Sequence, residues 1–404
     1  MNDRFDAMKI FQVVHGFPPY NVAGTEVYTL NLSQELAKRH KVFVFHRVND
    51  LDMEEYGITN NRLNGMDIFA INNTFRLYNS FEATYKNRII AEKFGLILDK
   101  VRPDIVHIQH LMYLGAELIE EIKKRRIPIV FTLHDYWLFC PQGQLLENSW
   151  KRCDNKGKET KCVQCILYQL SIKKNIFFAY YFLKRYFPDS LFQVFKDIYL
   201  RYCKSTLLSE TKVEGLIKER SAYIKDICSK VNLFIAPSQF LREKFLRFGI
   251  HENRIIFIPY GFNIDNFKNL NKIKSPRLRF GFIGNIMPAK GVHILIQCFN
   301  KIRNNNAELK IYGQASSYKS IRENYLKYIK KIARNKNIKF MGGFDNNKIA
   351  EIFEEIDILV VPSIWYENSP LVIQEAFLAK TPVKASRIGG IPELVKDGEN
   401  GLLF

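Results

Sequence analysis

No uncharged apolar run in this 404-residue sequence approaches the roughly 20 residues that a membrane-spanning helix needs. Nor is a secretory leader visible: Met1 to Asp6 is polar and acidic, and the first apolar run, Ile10 to Val14, reads as a strand. Met8-Lys9-Ile10 looks like the more natural opening, so the residues before it are read as an upstream extension. Cysteine is sparse, seven in all, and without a leader these are expected to be reduced cytoplasmic thiols or metal ligands. Acid is short as well. Forty-one Asp and Glu against 60 Lys and Arg leave a net charge of +19, which invites nucleic acid or an anionic membrane. No nucleic-acid motif accompanies that charge and the basic residues form no single block, so most of it is read as a solvated face and nucleic acid is set aside. At 47% hydrophobic and 25% charged, the composition is that of a soluble globular protein, and the length implies two domains.

What is present concentrates between Asp357 and Glu393. Ile358 to Val361 is a short β-branched run suited to a buried parallel strand, and Pro362 ends it. Ser369-Pro370 then predicts a helix start, with Ser369 as N-cap and Pro370 at the first helical position, followed by Leu371. A helix opening just past the carboxyl end of a parallel strand directs unpaired N–H groups at a ligand crevice, which is a seat for phosphate. Glu367 lies just before that helix and Glu375 within it. Carboxylates beside phosphate are repulsive unless they bind hydroxyls, so sugar or ribose hydroxyls are their natural partners.

Upstream, the strand Ile10 to Val14 leads through a turn to Gly24-Thr25-Glu26, which opens an amphipathic helix. Strands at Val42–Phe45, Pro103–His107 and Pro128–Leu133, with a helix from about Leu114 to Arg125, alternate as in a doubly wound sheet. His134 follows the last of these in Leu-His-Asp-Tyr-Trp, at the edge where such sheets bind ligands; His107 and His110 have weaker claims. Val231–Ala236 and Ile255–Ile258 complete the first half. A polar stretch, 263–277, is read as a linker, and the pattern restarts at Leu278–Ile283. The loop Gly284-Asn285-Ile286-Met287-Pro288-Ala289-Lys290-Gly291 follows that strand, and Gly342-Gly343-Phe344 follows a later one.

Glu367-x7-Glu375 with Gly389-Gly390-Ile391-Pro392-Glu393 resembles the C-terminal signature of the retaining family 4 glycosyltransferases. That resemblance implies the α/β GT-B fold: two Rossmann-like doubly wound domains facing each other across a cleft, here 1–262 and 278–404. It covers nearly the whole chain, and because family members normally continue past a strand like Leu402-Leu403-Phe404, the sequence reads as truncated at its C-terminus. It also implies transfer of a sugar from a nucleoside-diphosphate donor with retention of configuration, in cell-surface polysaccharide or glycolipid synthesis. In those terms Glu375 holds the ribose, Glu367 the sugar hydroxyls, and Lys290 with the amides after Ser369 and Pro370 the diphosphate. His134 contacts the donor sugar and makes up the catalytic set with Lys290 and Glu367; Gly24, Asn285 and Leu371 also belong to the donor side, Gly343 and Phe344 lie against the base, and Thr25 and Glu26 serve the acceptor side. The family's two-glycine loop has Ala23 in its first position, and the family's arginine in the diphosphate loop is Asn285. Metal-independent departure is expected, on the reading that no Asp-x-Asp metal motif appears near a strand end. A nucleotide-sugar 2-epimerase of the same fold and a non-catalytic sugar-nucleotide-binding subunit are the alternatives.

Two insertions complete the reading. Cys140, Cys153, Cys162 and Cys165 fall in a Gly- and Lys-rich segment, about 140–165, where four thiolates would make a structural zinc site; four reduced thiols are the alternative. From Lys173 to Lys204, Phe and Tyr alternate with Lys and Arg, which suits a peripheral contact with anionic membrane from the cytoplasmic side as well as two core helices.

Overall fold

The computed structural model describes residues 6–77, 80–147, 150–154, 161–163, 165–166, 210–303, 306–315 and 319–404. The aromatic-basic stretch from 173 to 204 lies outside them. Two sheets organise the rest. The first has the strands β1 (Lys9–Val14), β2 (Lys41–Val48), β3 (Ile58–Leu63), β4 (Met66–Asn72), β5 (Ile105–Ile108), β6 (Ile129–Thr132), β7 (Leu233–Ala236) and β8 (Ile255–Phe257), in the order β3-β4-β2-β1-β5-β6-β7-β8. The β1–β2, β1–β5, β2–β4, β5–β6 and β6–β7 pairings are parallel. Phe11 of β1 is fully buried and packs on Phe43, Phe69 and Phe94, the last from the helix α2 (Arg88–Val101), whose first turn is capped by the Asn87 side chain. The first helix, α1, runs Gly24–Ala37, and the helix expected from about Leu114 starts later, as α3 (Leu118–Lys124).

The antiparallel β3–β4 hairpin has no counterpart in the sequence reading. Every β3 residue is exposed, so no apolar alternation betrays it. The available signal is Asn64-Gly65, both at positive φ (49° and 79°), the residue pair that a tight hairpin turn requires.

The second sheet is parallel throughout: β9 (Leu278–Ile283), β10 (Ala307–Tyr312), β11 (Ile338–Gly342), β12 (Ile358–Val361), β13 (Val383–Ala385) and β14 (Gly401–Leu403), in the order β11-β10-β9-β12-β13-β14. Both faces are covered. Leu359 and Val361 face a core with Phe353 and Ile373, whereas Val360 faces one with Phe282, Val292 and Ile296. Strand order reverses beside β9, since β10 lies to one side and β12 to the other. The loops after β9 and β12 therefore spring from the kind of switch point where α/β sheets bind ligands.

The chain divides into two compact units. One is Met1–Gly143, Asp154–Ile235 and Ile250–Ile255; the other is Gln144–Cys153, Ala236–Gly249 and Ile256–Phe404. The second unit thus takes in two short segments, 144–153 and 236–249, from before the stretch read as a linker.

Candidate active site

In the second unit, the loop after β9 ends in a 3-10 turn, Pro288–Lys290, and Gly291 then opens the helix α6 (Val292–Phe299). Gly291 has φ 69°, and a Cβ there would lie 1.8 Å from the Pro362 carbonyl oxygen, so only glycine lets this loop close on the loop after β12. The Ile364 amide donates to the Ala289 carbonyl at 2.9 Å and fastens the two loops together. Across this junction the Lys290 ammonium reaches the Glu367 carboxylate at 2.8 Å. Glu367 is only 3% exposed and also accepts a 2.5 Å bond from the Ser363 hydroxyl. Lys290 lies over the Trp365 ring, 5.3 Å from its centre.

The helix after this loop, α9, runs Leu371–Leu378, and its cap differs from the expected one. Pro370, in extended conformation, holds the N-cap position without a side-chain bond. The Ser369 hydroxyl instead accepts from the Gln374 side chain at 3.1 Å, so it satisfies no amide of the first turn. Among the described residues no hydrogen bond is recorded for the Leu371 and Val372 amides. The Glu375 carboxyl, one turn on, likewise has no hydrogen bond or ion pair there, and burial pushes it up to about 7. The lysine, two unengaged amides and an unpaired carboxyl are therefore all set at one switch point. Asn285 is half-buried and its side chain makes no hydrogen bond among the described residues. Gly343 rests against the Gln314 side chain, and Phe344 is edge-on to Tyr312 at 6.4 Å.

The Gly-Gly-x-Pro-Glu loop has a structural task. A Cβ on Gly390 would sit 1.9 Å from the Asn368 carbonyl oxygen, and the Gly390 amide donates to the Glu367 carbonyl at 2.7 Å. Glu393 then accepts from the Gln239 and Phe240 amides at 2.7 and 2.6 Å, capping the helix α5 (Gln239–Phe248). The Ser238 hydroxyl ties the same point to Asn368 at 2.7 Å. Glu393→Ala is expected to cost about 1–2 kcal/mol of stability in denaturant unfolding, with Glu393→Gln losing less. An unchanged midpoint for the alanine variant would remove the cap from this account.

In the first unit, a polar chain lines the carboxyl edge of the sheet around β1 and β5. Glu26 is buried in the first turn of α1, one oxygen 3.2 Å from His15 Nε2 and the other without a partner; burial raises its carboxyl. The His15 and His110 rings lie 4.4 Å apart. His110 Nδ1 accepts from the Met112 amide, so Nε2 carries the proton and donates to Asp135 at 3.2 Å. His134 bonds Gln109 at 2.8 Å through Nε2 and stands edge-on to Tyr28. Burial, with neighbouring histidines, lowers His15 and His134 well below the usual histidine value, so both are neutral at pH 7. Thr25 is half-buried, with its carbonyl accepting from Thr29 at 2.7 Å, and Gly24 is exposed. His15 was not among the expected site residues. It follows β1 directly, which is the same positional signal that singled out His134.

Family comparisons fit both units. The family described as "Glycosyltransferase Family 4" matches residues 22–163, and "Glycosyl transferases group 1" matches 263–404, together well over half of the chain. The chain belongs to the family 4-type glycosyltransferases of GT-B fold. Similar chains include an "Uncharacterized 42.6 kDa protein in cps region" of Klebsiella pneumoniae, 22% identical over 96% of this chain and 87% of that one. A lipopolysaccharide 1,2-N-acetylglucosaminetransferase of Salmonella typhimurium is 28% identical over 47% of this chain and 56% of its own. Among solved structures, Anabaena Alr3699/HepE in complex with UDP and glucose superposes with a TM-score of 0.60 at 17% identity, covering 98% of this chain and 85% of that one.

Among the described residues, which include Cys140, Cys153, Cys162 and Cys165, no three His, Cys, Asp or Glu side chains are grouped as they stand around one point. Near Cys140 and Cys162 a cation is already present, the fully buried Arg220 of the helix α4 (Glu210–Lys230). Burial pulls its guanidinium down to about 10, with the thiols opposing the shift. Arg220 donates to the Trp137 and Leu138 carbonyls and lies over the Trp137 and Tyr85 rings at 5.2 and 5.6 Å. It fastens the segment that carries His134 and Asp135. One expectation needs correcting: Asp50-Leu51-Asp52, with one residue between it and the end of β2, is an Asp-x-Asp triplet near a strand end. Asp50 and Asp52 are exposed, and the Asp50 carboxylate accepts from the Asp52 amide at 2.9 Å. Absence of such a motif therefore lends no support to metal-independent departure.

Proposed function

We propose that the chain transfers a hexose from a nucleoside-diphosphate sugar to an acceptor hydroxyl with retention of configuration, in the assembly of a cell-surface polysaccharide or glycolipid. The observation that carries this reading is the set of groups beside β9 and β12: Lys290 on a buried Glu367, the unengaged amides of Leu371 and Val372, and the unpaired Glu375. Diphosphate fits the first and the amides, sugar hydroxyls fit Glu367, and ribose hydroxyls fit Glu375. The anomeric C–O bond to phosphate breaks with its electron pair going to the diphosphate. The acceptor oxygen bonds to the anomeric carbon on the same face, and its proton passes to the departing phosphate. Lys290 and fixed N–H dipoles act where charge develops, which is where they contribute most. The acceptor is assigned to Gly24, Thr25, Glu26 and His134.

The similar cps-region protein and lipopolysaccharide transferase support the surface-polysaccharide context, and the HepE complex makes UDP-sugars the first donors to try. Incubation with a nucleotide-sugar panel, followed by assay of free nucleoside diphosphate, is the test. Release that depends on a saccharide or lipid-linked acceptor is expected. Sugar-nucleotide conversion without acceptor would replace the transferase with an epimerase, and binding without turnover would leave a non-catalytic subunit.

The stretch 173–204 is proposed to dock on anionic membrane, bringing the enzyme to a lipid-linked acceptor on the cytoplasmic face; no helix among the described residues is long and apolar enough to cross a membrane. Binding to anionic vesicles should weaken with salt without vanishing, because the aromatics add unscreened burial. Lys184→Glu with Arg185→Glu should weaken it further. Equal binding to neutral vesicles would refute the electrostatic part.

A further inference from the structure

The diphosphate loop has one cation where the family pattern has two, because Asn285 stands in the arginine position. The second unit brings another arginine to the neighbouring loop from elsewhere in the chain. Residues 144–153 belong to this unit and fold back on themselves: Leu146 and Arg152 form an antiparallel bridge, and the Glu147 amide donates to the Lys151 carbonyl at 2.8 Å. Leu146 is buried in a cluster with Met287 and Ala289 of the diphosphate loop and with Ile364 and Trp365 of the loop after β12. Trp150 is the second anchor, 5.2 Å from the His293 ring at the start of α6 and 5.7 Å from Tyr325 of the helix α7 (Lys319–Ile332). Held this way, the exposed Arg152 guanidinium lies over the Tyr366 ring, 5.9 Å from its centre and one residue from Glu367. Lys244 lies over the same ring at 4.9 Å.

A guanidinium on a protein surface usually finds a carboxylate. Arg152 has no hydrogen bond or ion pair among the described residues, and Glu367, next to Tyr366 in sequence, is already engaged by Lys290 and Ser363. Its five N–H donors are thus available, in a planar fork that matches phosphate oxygens.

We propose that Arg152 is a donor-binding residue that supplies to the diphosphate the cation missing at Asn285. This rests on the transferase reading above, and it gives the 144–153 segment a function: it carries in trans along the chain what the loop after β9 lacks. It also predicts a preference for donors with a diphosphate over those with a single phosphate.

The test uses the full chain and UDP-glucose, or whichever nucleotide sugar of the panel the wild type consumes. Arg152→Ala is expected to lower donor turnover about 10- to 100-fold and to weaken the nucleoside diphosphate while leaving the bare nucleoside unchanged. Arg152→Lys should recover part of the loss, and Asn285→Arg in the Arg152→Ala background should recover most of it. Because Arg152 is exposed, the melting temperature should not move. Unchanged turnover and nucleoside-diphosphate affinity in Arg152→Ala would overturn the proposal. So would equal losses for nucleoside and nucleoside diphosphate, which mean altered packing of Tyr366, or an absence of rescue by Asn285→Arg. If the wild type itself releases no nucleoside diphosphate from any donor, the transferase reading fails, and that outcome is separate from any result with the variants.

Discussion

Lys290→Ala should reduce turnover about 30- to 1,000-fold, corresponding to about 2–4 kcal/mol of lost transition-state stabilisation, with a smaller change in donor KM. The expectation follows from where charge appears. As the sugar–phosphate bond breaks, the diphosphate gains negative charge, and a fixed ammonium gains more interaction with the transition state than with the bound donor. The structure adds a second consequence. Lys290 neutralises Glu367, which is 3% exposed, while Lys290 itself remains 26% exposed at its side chain. Removing the lysine leaves a buried carboxylate with Ser363 as its remaining recorded donor, so a stability loss of about 1–3 kcal/mol should accompany the kinetic one, reduced from the full buried-pair value by solvent at Lys290. Lys290→Ala combined with Glu367→Gln separates the two effects. The second change should restore stability but not turnover. Unchanged kcat in the single variant would show that this loop does not face the leaving group.

This pair also marks how far the sequence could be read. The strand Ile358–Val361 and the two glutamates were legible because each obeys a local rule, β-branched burial or position beside a strand end, whereas Gly291 and Gly390 entered only as parts of loops that resemble the family's. The pairing of Lys290 with Glu367 was not legible, since 77 residues separate them and only the closure of one loop on another brings them together. The same reason hid Glu393, whose partners are amides of Gln239 and Phe240, from another part of the chain. The cap of α9 was misread for a different reason. Ser-Pro is a good N-cap pair in isolation, but Pro370 takes an extended conformation (ψ 118°) and holds the cap position itself, freeing Ser369 for Gln374. The cysteines mark a similar boundary: Cys-x2-Cys is a local signal, whereas a four-ligand centre is tertiary. No local pattern could place the buried cation Arg220 near two of those thiols.

Glu375 offers the last test, because its ligand role and its cost to the empty protein have opposite signs. Burial raises its carboxyl from the usual range to about 7, and no partner among the described residues offsets that. A carboxyl raised on folding binds more protons in the native state than in the unfolded chain between about pH 4.5 and 7. Folding stability from this group is therefore full below the unfolded value and falls as pH rises through that window. Above pH 7 the penalty should reach on the order of 2–3 kcal/mol, and Glu375→Gln, which cannot ionise, should be more stable than wild type by a similar amount at pH 8 and little different at pH 5. Donor binding should run the other way. Two ribose hydroxyls need a carboxylate to accept them, so wild-type affinity for UDP-glucose, whose diphosphate does not titrate in this range, should rise with pH up to about 7 and then level. In calorimetry near pH 6 the complex should release close to one proton. Glu375→Gln should bind 10- to 100-fold more weakly at pH 8, with a flat pH profile, since an amide gives one acceptor where a carboxylate gives two. A stabilised variant that also binds the donor as well as wild type would show that Glu375 is buried for packing alone. A wild-type affinity independent of pH from 5.5 to 8 would show that it does not hold the ribose.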